Sequence, residues 1–126
     1  LLRNDREIQD KLIWLDHVDD KGLRWLYSHC SFTLYPSFYE GWGLPVAESL
    51  AYGKPCLASN TSSIPEVAGD LVDYFSPYSP DELIRCLEKY ALTGLGLDTA
   101  YKKAKRFKQP TWATTGWQVA NFLLRI

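Results

Sequence analysis

Two glutamates, Glu40 and Glu48, flank a short loop that contains two glycines and ends at a proline. The loop follows an apolar, aromatic segment, 31–35, whose composition predicts a strand. Regular structure resumes at Pro45, because proline suits the first turn of a helix, where its missing N–H would have no partner. A strand, a glycine-containing loop and a helix N-terminus together offer free backbone N–H groups and the positive end of a helix dipole. This pattern predicts a site for a phosphate or another polar ligand.

Glu48 falls about one turn into the predicted helix. Because helical side chains lean toward the N-terminus, its carboxylate should point to the mouth of the loop. Val46, Ala47 and Leu50 define the apolar face, so Glu48 should lie off the core, in a column with Leu44 and Tyr52 at i, i+4 spacing. A carboxylate in this position is suited to accept hydrogen bonds from a ribose diol, as the acidic residue of dinucleotide-binding units does from a different strand.

The segment Glu40-Gly-Trp-Gly-Leu-Pro-Val-Ala-Glu48 resembles the signature of the retaining glycosyltransferase family 4, whose members have the two-domain GT-B fold. The resemblance continues through residues 51–55, 58–60, 64–70, 76–83 and 105–107. It therefore covers nearly the whole chain in order, and it implies that residues 1–126 are part of the C-terminal, donor-binding domain of such an enzyme.

The resemblance also implies roles for individual residues. Glu48 would hold the nucleotide ribose, and Glu40 would lie beside the transferred sugar as the catalytic carboxylate. Trp42 would shape the sugar pocket. The backbone N–H groups that would contact sugar hydroxyls and a phosphate belong to Gly41, Trp42, Gly43 and Leu44.

The implied reaction moves a hexose from a nucleoside diphosphate sugar to a hydroxyl of a saccharide or lipid-linked acceptor, in polysaccharide or glycolipid biosynthesis. It would retain the anomeric configuration and would need no essential metal and no cofactor, since protein donors would meet the charge on the leaving diphosphate. On this interpretation the N-terminal acceptor domain is missing from the sequence, and the fragment should be inactive alone.

Two other classes stay open. A glycoside hydrolase would also use two carboxylates, here Glu40 and Glu48, but both would flank one scissile bond at a separation of roughly 5–9.5 Å. A Glu48 that binds ribose would lie farther from the reacting carbon. The second alternative is a non-catalytic module that only binds a sugar nucleotide or a partner chain, and the intact pair of glutamates argues against it.

Composition narrows the remaining classes. The formal net charge of −1 argues against a partner nucleic acid, which usually requires a basic surplus. No apolar run approaches the roughly 20 residues of a membrane span. The absence of methionine, even at position 1, indicates a piece of a longer protein. The three widely spaced cysteines, Cys30, Cys56 and Cys86, predict buried free thiols in a reducing cytoplasm rather than a metal site or a disulfide scaffold.

Strands and helices must alternate to position this site. Strands are predicted at 11–15, 31–35, 54–58 and 74–75, and helices at 20–29, 45–53, 80–92, 99–108 and from Trp112 onward. This order predicts right-handed βαβ units and a mainly parallel sheet in a Rossmann-like, three-layer α/β domain. The loops 16–20, 36–43 and 59–63 would then meet at the carboxyl edge of the sheet, where ligands bind in such folds.

Several smaller features have both a functional and a purely structural interpretation. His17 could be a catalytic base, but a lone loop histidine is more often solvated. The basic run 102–108 could dock at the inner face of an anionic membrane, yet its spacing favours the wet face of an amphipathic helix. Ser63 and Glu66 match a capping box. Trp117 and Phe122 in the last helix predict an exposed apolar patch.

Overall fold

The computed structural model describes residues 9–91 and 95–125 of the chain. Within them a parallel sheet of three strands has the order β1-β2-β3. Thr33 pairs with Cys56 and Leu57 pairs with Asp73. The strands are β1 Thr33–Tyr35, β2 Cys56–Ser59 and β3 Asp73–Phe75. The predicted α/β class with a parallel sheet is therefore confirmed.

The helices lie between and after the strands. They are α1 Asp20–His29, α2 Leu44–Ala51, α3 Ile64–Ala68, α4 Pro80–Ala91, α5 Leu95–Ala104 and α6 Trp112–Leu123. Two of these helices begin at a side-chain N-cap. Asp19 accepts from the Gly22 N–H at 2.7 Å at the start of α1, and Thr111 accepts from the Thr114 N–H at 3.1 Å at the start of α6.

The core lies on both faces of β2, all of whose residues are buried. On one face Cys56 and Ala58 pack with Val46 and Leu50 of α2. On the other face Leu57 packs in a second cluster with Phe75, Tyr90 and Ala100. Alternate side chains of a strand point to opposite faces, so this division gives the predicted three layers, with the sheet in the middle.

The predicted strand at 11–15 is wrong. Gln9–Lys11 is a short 3-10 helix, and the residues after it join no strand of the described chain. Ile13 is 82% exposed and Trp14 is 59% exposed. Apolar composition alone cannot make a strand, because the backbone groups of a strand need a neighbour with which to pair.

The boundaries around α5 also differ from the prediction. Leu95 and Gly96, which fall in the gap between the predicted helices 80–92 and 99–108, are instead the start of α5, which ends at Ala104 rather than at Lys108. A Cβ at Gly96 would lie 2.7 Å from the backbone oxygen of Lys89. This glycine therefore allows a close approach between α4 and α5, and it does not terminate a helix.

Candidate active site

Of the three loops predicted to meet at the carboxyl edge of the sheet, those after β1 and β2 do meet there, whereas 16–20 follows no strand of the described chain. Thr61 Oγ1 donates to the backbone oxygen of Ser37 at 3.2 Å. Ser62 Oγ and Ser63 Oγ both donate to the backbone oxygen of Glu40, at 2.6 and 3.0 Å. The predicted capping box is wrong, because Ser63 makes no side-chain bond at the start of α3. Its hydroxyl braces the loop that carries Glu40.

The carboxylate of Glu40 is held by two hydroxyl donors. Tyr35 Oη, at the end of β1, and Ser37 Oγ both donate to its Oε1 atom, the latter at 2.7 Å. These bonds favour the ionised form and hold the pKa of Glu40 below its usual range. Burial, followed by the bond to Glu40, raises the pKa of Tyr35 to about 12. At neutral pH the pair is therefore a carboxylate and a neutral phenol.

The N-terminus of α2 offers free hydrogen-bond donors. Gly43 has φ +90°, a backbone conformation that residues other than glycine rarely adopt. It caps the helix with its backbone alone. Pro45 lies in the first turn, as predicted. Among the residues that the structure describes, no acceptor takes a bond from the backbone N–H groups of Gly41, Trp42, Gly43 or Leu44. These groups and the helix dipole favour an anion at this position.

Glu48 lies off the core on α2, as the helical spacing predicted, and it is exposed together with Leu44 and Tyr52. Its Oε2 atom accepts a hydrogen bond from Tyr27 Oη of α1 at 3.0 Å. The ring of Tyr27 stacks on that of Tyr52, with centroids 5.4 Å apart. Burial, with a further contribution from Glu48, raises the pKa of Tyr27 above its ordinary value. Tyr27 therefore stays a hydrogen-bond donor to the Glu48 carboxylate.

Two adjoining grooves run past the start of α2. One has a volume of about 550 Å³ and is lined by Glu48 and Tyr52 among others. The second has a volume of about 440 Å³ and includes Gly41. Trp42 and Phe107 line both grooves, so the two grooves form one continuous surface. Of the predicted site residues, the lining of these grooves includes Gly41, Trp42, Leu44 and Glu48, but not Glu40 or Gly43.

His17 does not line these two grooves. With Asp16 and Asp19 it lines a separate, open cavity of about 860 Å³ against α1, which shares no lining residue with the two grooves. Within the part of the chain that it describes, the structure therefore gives no contact that would support His17 as a catalytic base at the predicted site. In residues 9–91 and 95–125, no three His, Cys, Asp or Glu side chains gather in a metal-binding arrangement.

Sequence reasoning missed Tyr27, Tyr35, Ser37 and Ser62 as partners of the two glutamates. Ser37 lies close to Glu40 in the sequence, so its hydroxyl is the partner that could most easily have been predicted. Ser62 is 22 residues away from Glu40 along the chain. Tyr27 is 21 residues away from Glu48. These two pairs become visible only when the sheet and helices are assembled.

Comparison with known proteins gives the class to which this fold and site belong. The family model of glycosyl transferases group 1 matches residues 1–109. The chain therefore belongs to this family, and its fold is that of the C-terminal domain of a GT-B glycosyltransferase.

Among individual relatives, the chain is 47% identical over 112 residues to the O-antigen chain mannosyltransferase B of Escherichia coli, covering 86% of the chain. It is 33% identical over 109 residues to the serotype-specific mannosyltransferase WbdA of Escherichia coli. It is 34% identical over 73 residues, or 58% of the chain, to the O-antigen chain mannosyltransferase RfbU of Salmonella typhimurium. The chain spans only 29%, 13% and 21% of the length of these relatives.

Proposed function

We propose that this chain is the donor-binding part of a hexosyltransferase, which moves a hexose from a nucleoside diphosphate sugar to an acceptor hydroxyl in polysaccharide biosynthesis. One arrangement carries the proposal: free N–H groups at the N-terminus of α2 lie beside a groove lined by the carboxylate of Glu48. The N-terminus suits a diphosphate and the carboxylate suits a ribose diol, so both parts of a nucleotide sugar would find a partner.

The roles of Glu48 and of the backbone N–H groups are proposed from this placement, and that of Glu40 from the resemblance of the segment 40–48 to the retaining family. Glu48 binds the ribose, and the N–H groups of residues 41–44 bind a phosphate and sugar hydroxyls. Glu40, in the same loop, accepts hydrogen bonds from the transferred sugar and stabilises positive charge on it. Its ionised state at neutral pH supports this role, because a carboxylate can only accept hydrogen bonds.

We propose mannose as the transferred sugar and retention as the stereochemical outcome. The first is supported by the relatives, whose names describe mannosyltransferases. The second rests on the resemblance of the segment from Glu40 to Glu48 to the retaining family. An N-terminal acceptor domain is also proposed, since the relatives are several times longer than this chain.

The glycoside hydrolase is not favoured. A hydrolase of this kind needs one carboxyl group with a raised pKa as general acid, and Glu40, whose pKa is lowered, could only be the other carboxylate. The argument against the hydrolase is that the chain belongs to a glycosyltransferase family. The intact pair of glutamates already argues against a non-catalytic module. A second argument is that Glu40 is held by several hydrogen bonds, which a surface that only binds a ligand would not need.

The cellular location is proposed from fewer observations than the activity. Each described helix is too short or too polar to cross a bilayer. Free thiols at Cys30, Cys56 and Cys86 support a cytoplasmic location, although of the three only Cys56 is buried as predicted. A peripheral contact with the inner membrane face would have to use the exposed lysines of the basic run, because Lys103 and Arg106 pair with Asp73 and Asp70.

The test uses the full-length protein and a panel of nucleoside diphosphate sugars that includes GDP-mannose. Calorimetry measures donor binding, and proton NMR of the first product identifies its anomeric configuration. Binding of one donor and an α-linked product from an α-linked donor are expected. Inversion would overturn the retaining assignment alone, whereas free sugar as the main product would favour the hydrolase.

A further inference from the structure

The Glu40 backbone is clamped by the loop after β2. Ser62 Oγ donates to the backbone oxygen of Glu40 at 2.6 Å and accepts from the Glu40 N–H at 3.3 Å. Ser63 Oγ donates to the same oxygen at 3.0 Å. One serine hydroxyl thus binds both polar backbone groups of Glu40, which fixes the peptide planes on either side of its Cα atom.

Ser62 has a backbone conformation that serines seldom adopt. Its φ of +57° lies in the left-handed region, and in the part of the chain that the structure describes no other residue except glycine has a positive φ. Glycine would adopt this conformation without strain. A strained residue persists where its surroundings hold it, and such residues cluster at functional sites. Here the hydroxyl of Ser62, which glycine lacks, is the group in contact with Glu40.

The clamp and the carboxylate donors act on different parts of the same residue. Tyr35 and Ser37 hold the side-chain oxygen of Glu40, and Ser62 holds its backbone. With the backbone and the carboxylate both fixed, the direction of the side chain is determined before any ligand arrives. Preorganised groups of this kind lose no free energy to reorientation during reaction.

We propose that Ser62 is a positioning residue for the transfer step, and that it acts through Glu40. This inference rests on the function proposed above, since it assumes that Glu40 faces the transferred sugar. Ser62 would serve turnover rather than donor affinity, because the ribose and the diphosphate would bind at α2. Loss of its hydroxyl should lower kcat and leave the donor dissociation constant unchanged.

The experiment compares two variants of the full-length protein. Ser62→Ala removes the hydroxyl but keeps a Cβ atom at a positive φ, whereas Ser62→Gly removes the hydroxyl and relieves the strain. Both should lower kcat, by between about 10-fold and about 100-fold, as expected for a displaced reacting group. The matched control is Ser28→Ala, since Ser28 Oγ also donates to a backbone oxygen, at 2.7 Å, on the surface of α1. A normal kcat in Ser62→Gly would overturn the inference, because only backbone strain would then matter at this position.

A double-mutant cycle of Ser62 and Glu40 tests the inference separately from the function on which it rests. If Ser62 acts through Glu40, then Ser62→Gly should cost little further kcat in a Glu40→Gln background. Fully additive losses would overturn the positioning role. If Glu40→Gln alone has normal kcat, the proposed role of Glu40 fails, and the positioning role fails with it. If Glu40→Gln is impaired and Ser62→Gly is not, only the inference is overturned.

Discussion

The hydroxyl of Tyr27 donates a hydrogen bond of 3.0 Å to Oε2 of Glu48, and this bond joins α1 to α2 at the proposed ribose site. The ring of Tyr27 is braced in turn by stacking on Tyr52. Glu48 is exposed, so its side chain would otherwise sample several rotamers in water. The bond therefore orders one carboxylate oxygen before the donor binds.

Replacement of Tyr27 by phenylalanine tests this relationship. We expect Tyr27→Phe to weaken donor binding by about 0.5–1.5 kcal/mol, the net contribution of one hydrogen bond, with kcat nearly unchanged. Isothermal titration of the full-length protein measures the loss. Tyr74→Phe is the matched control, because its hydroxyl bonds the backbone oxygen of Gly69 at 2.8 Å, away from the grooves. Equal affinities in both variants would show that Glu48 needs no such partner.

Removal of the Glu48 carboxylate should have the larger effect. Glu48→Ala deletes charge-assisted hydrogen bonds to the ribose, each of which contributes about 1.5–3 kcal/mol. The melting temperature should change little, since Glu48 is exposed and lies off the core. Glu88→Ala, an exposed glutamate of α4, controls for the loss of one negative charge. Unchanged donor affinity in a folded Glu48→Ala variant would remove the ribose assignment.

Glu40 should affect turnover more than binding. Glu40→Gln keeps the size of the side chain and removes its charge, so kcat should fall far more than donor affinity if its partner is the reacting sugar. Steady-state kinetics and donor titration on the same preparation separate the two quantities. A raised KM with normal kcat would move Glu40 from the transfer step to the binding of substrate.

The pH dependence of kcat should report the donors that hold Glu40. Hydrogen bonds from Tyr35 and Ser37 lower the pKa of Glu40, so the carboxylate stays ionised as the pH falls below the ordinary range of a glutamate. Tyr35→Phe removes the stronger influence and should raise this pKa, which moves the acid limb of the kcat profile to higher pH. Tyr101→Phe, whose hydroxyl bonds the Ser31 oxygen at 2.7 Å, should leave the profile in place. An unmoved acid limb in Tyr35→Phe would mean that another group titrates there.

The position of Glu48 was predictable because helical periodicity is local. Its place beside Leu44 and Tyr52 follows from the spacing of four residues, and the structure agrees. The role of Ser63 was not predictable, since a local pattern favours bonding to Glu66, three residues away. Its observed partner is the backbone of Glu40, and such a contact depends on how β1 and β2 pair. Strand pairing also explains why the strand predicted at 11–15 does not form, since its residues have no neighbouring strand in the described chain.

The last helix leads to a prediction for the chain by itself. Large apolar side chains of α6 face solvent: Trp112 is 92% exposed, Trp117 71% and Phe122 69%. Exposed aromatic surface of this kind drives association in water, since its burial contributes about 25 cal/mol for each Å². We expect isolated residues 1–126 to fold, to self-associate and to show no transferase activity.

Sedimentation velocity and circular dichroism test that prediction together. The triple variant Trp112→Ser, Trp117→Ser and Phe122→Ser should shift the isolated chain toward monomer, while its melting temperature stays close to that of the parent, because none of the three side chains belongs to the core. A matched variant replaces Tyr78, which is 75% exposed on another surface, by serine and should leave association unchanged. A parent chain that sediments as a monomer at high concentration would refute the exposed patch. Robust transfer by the isolated chain would instead show that residues 1–126 carry a complete active site.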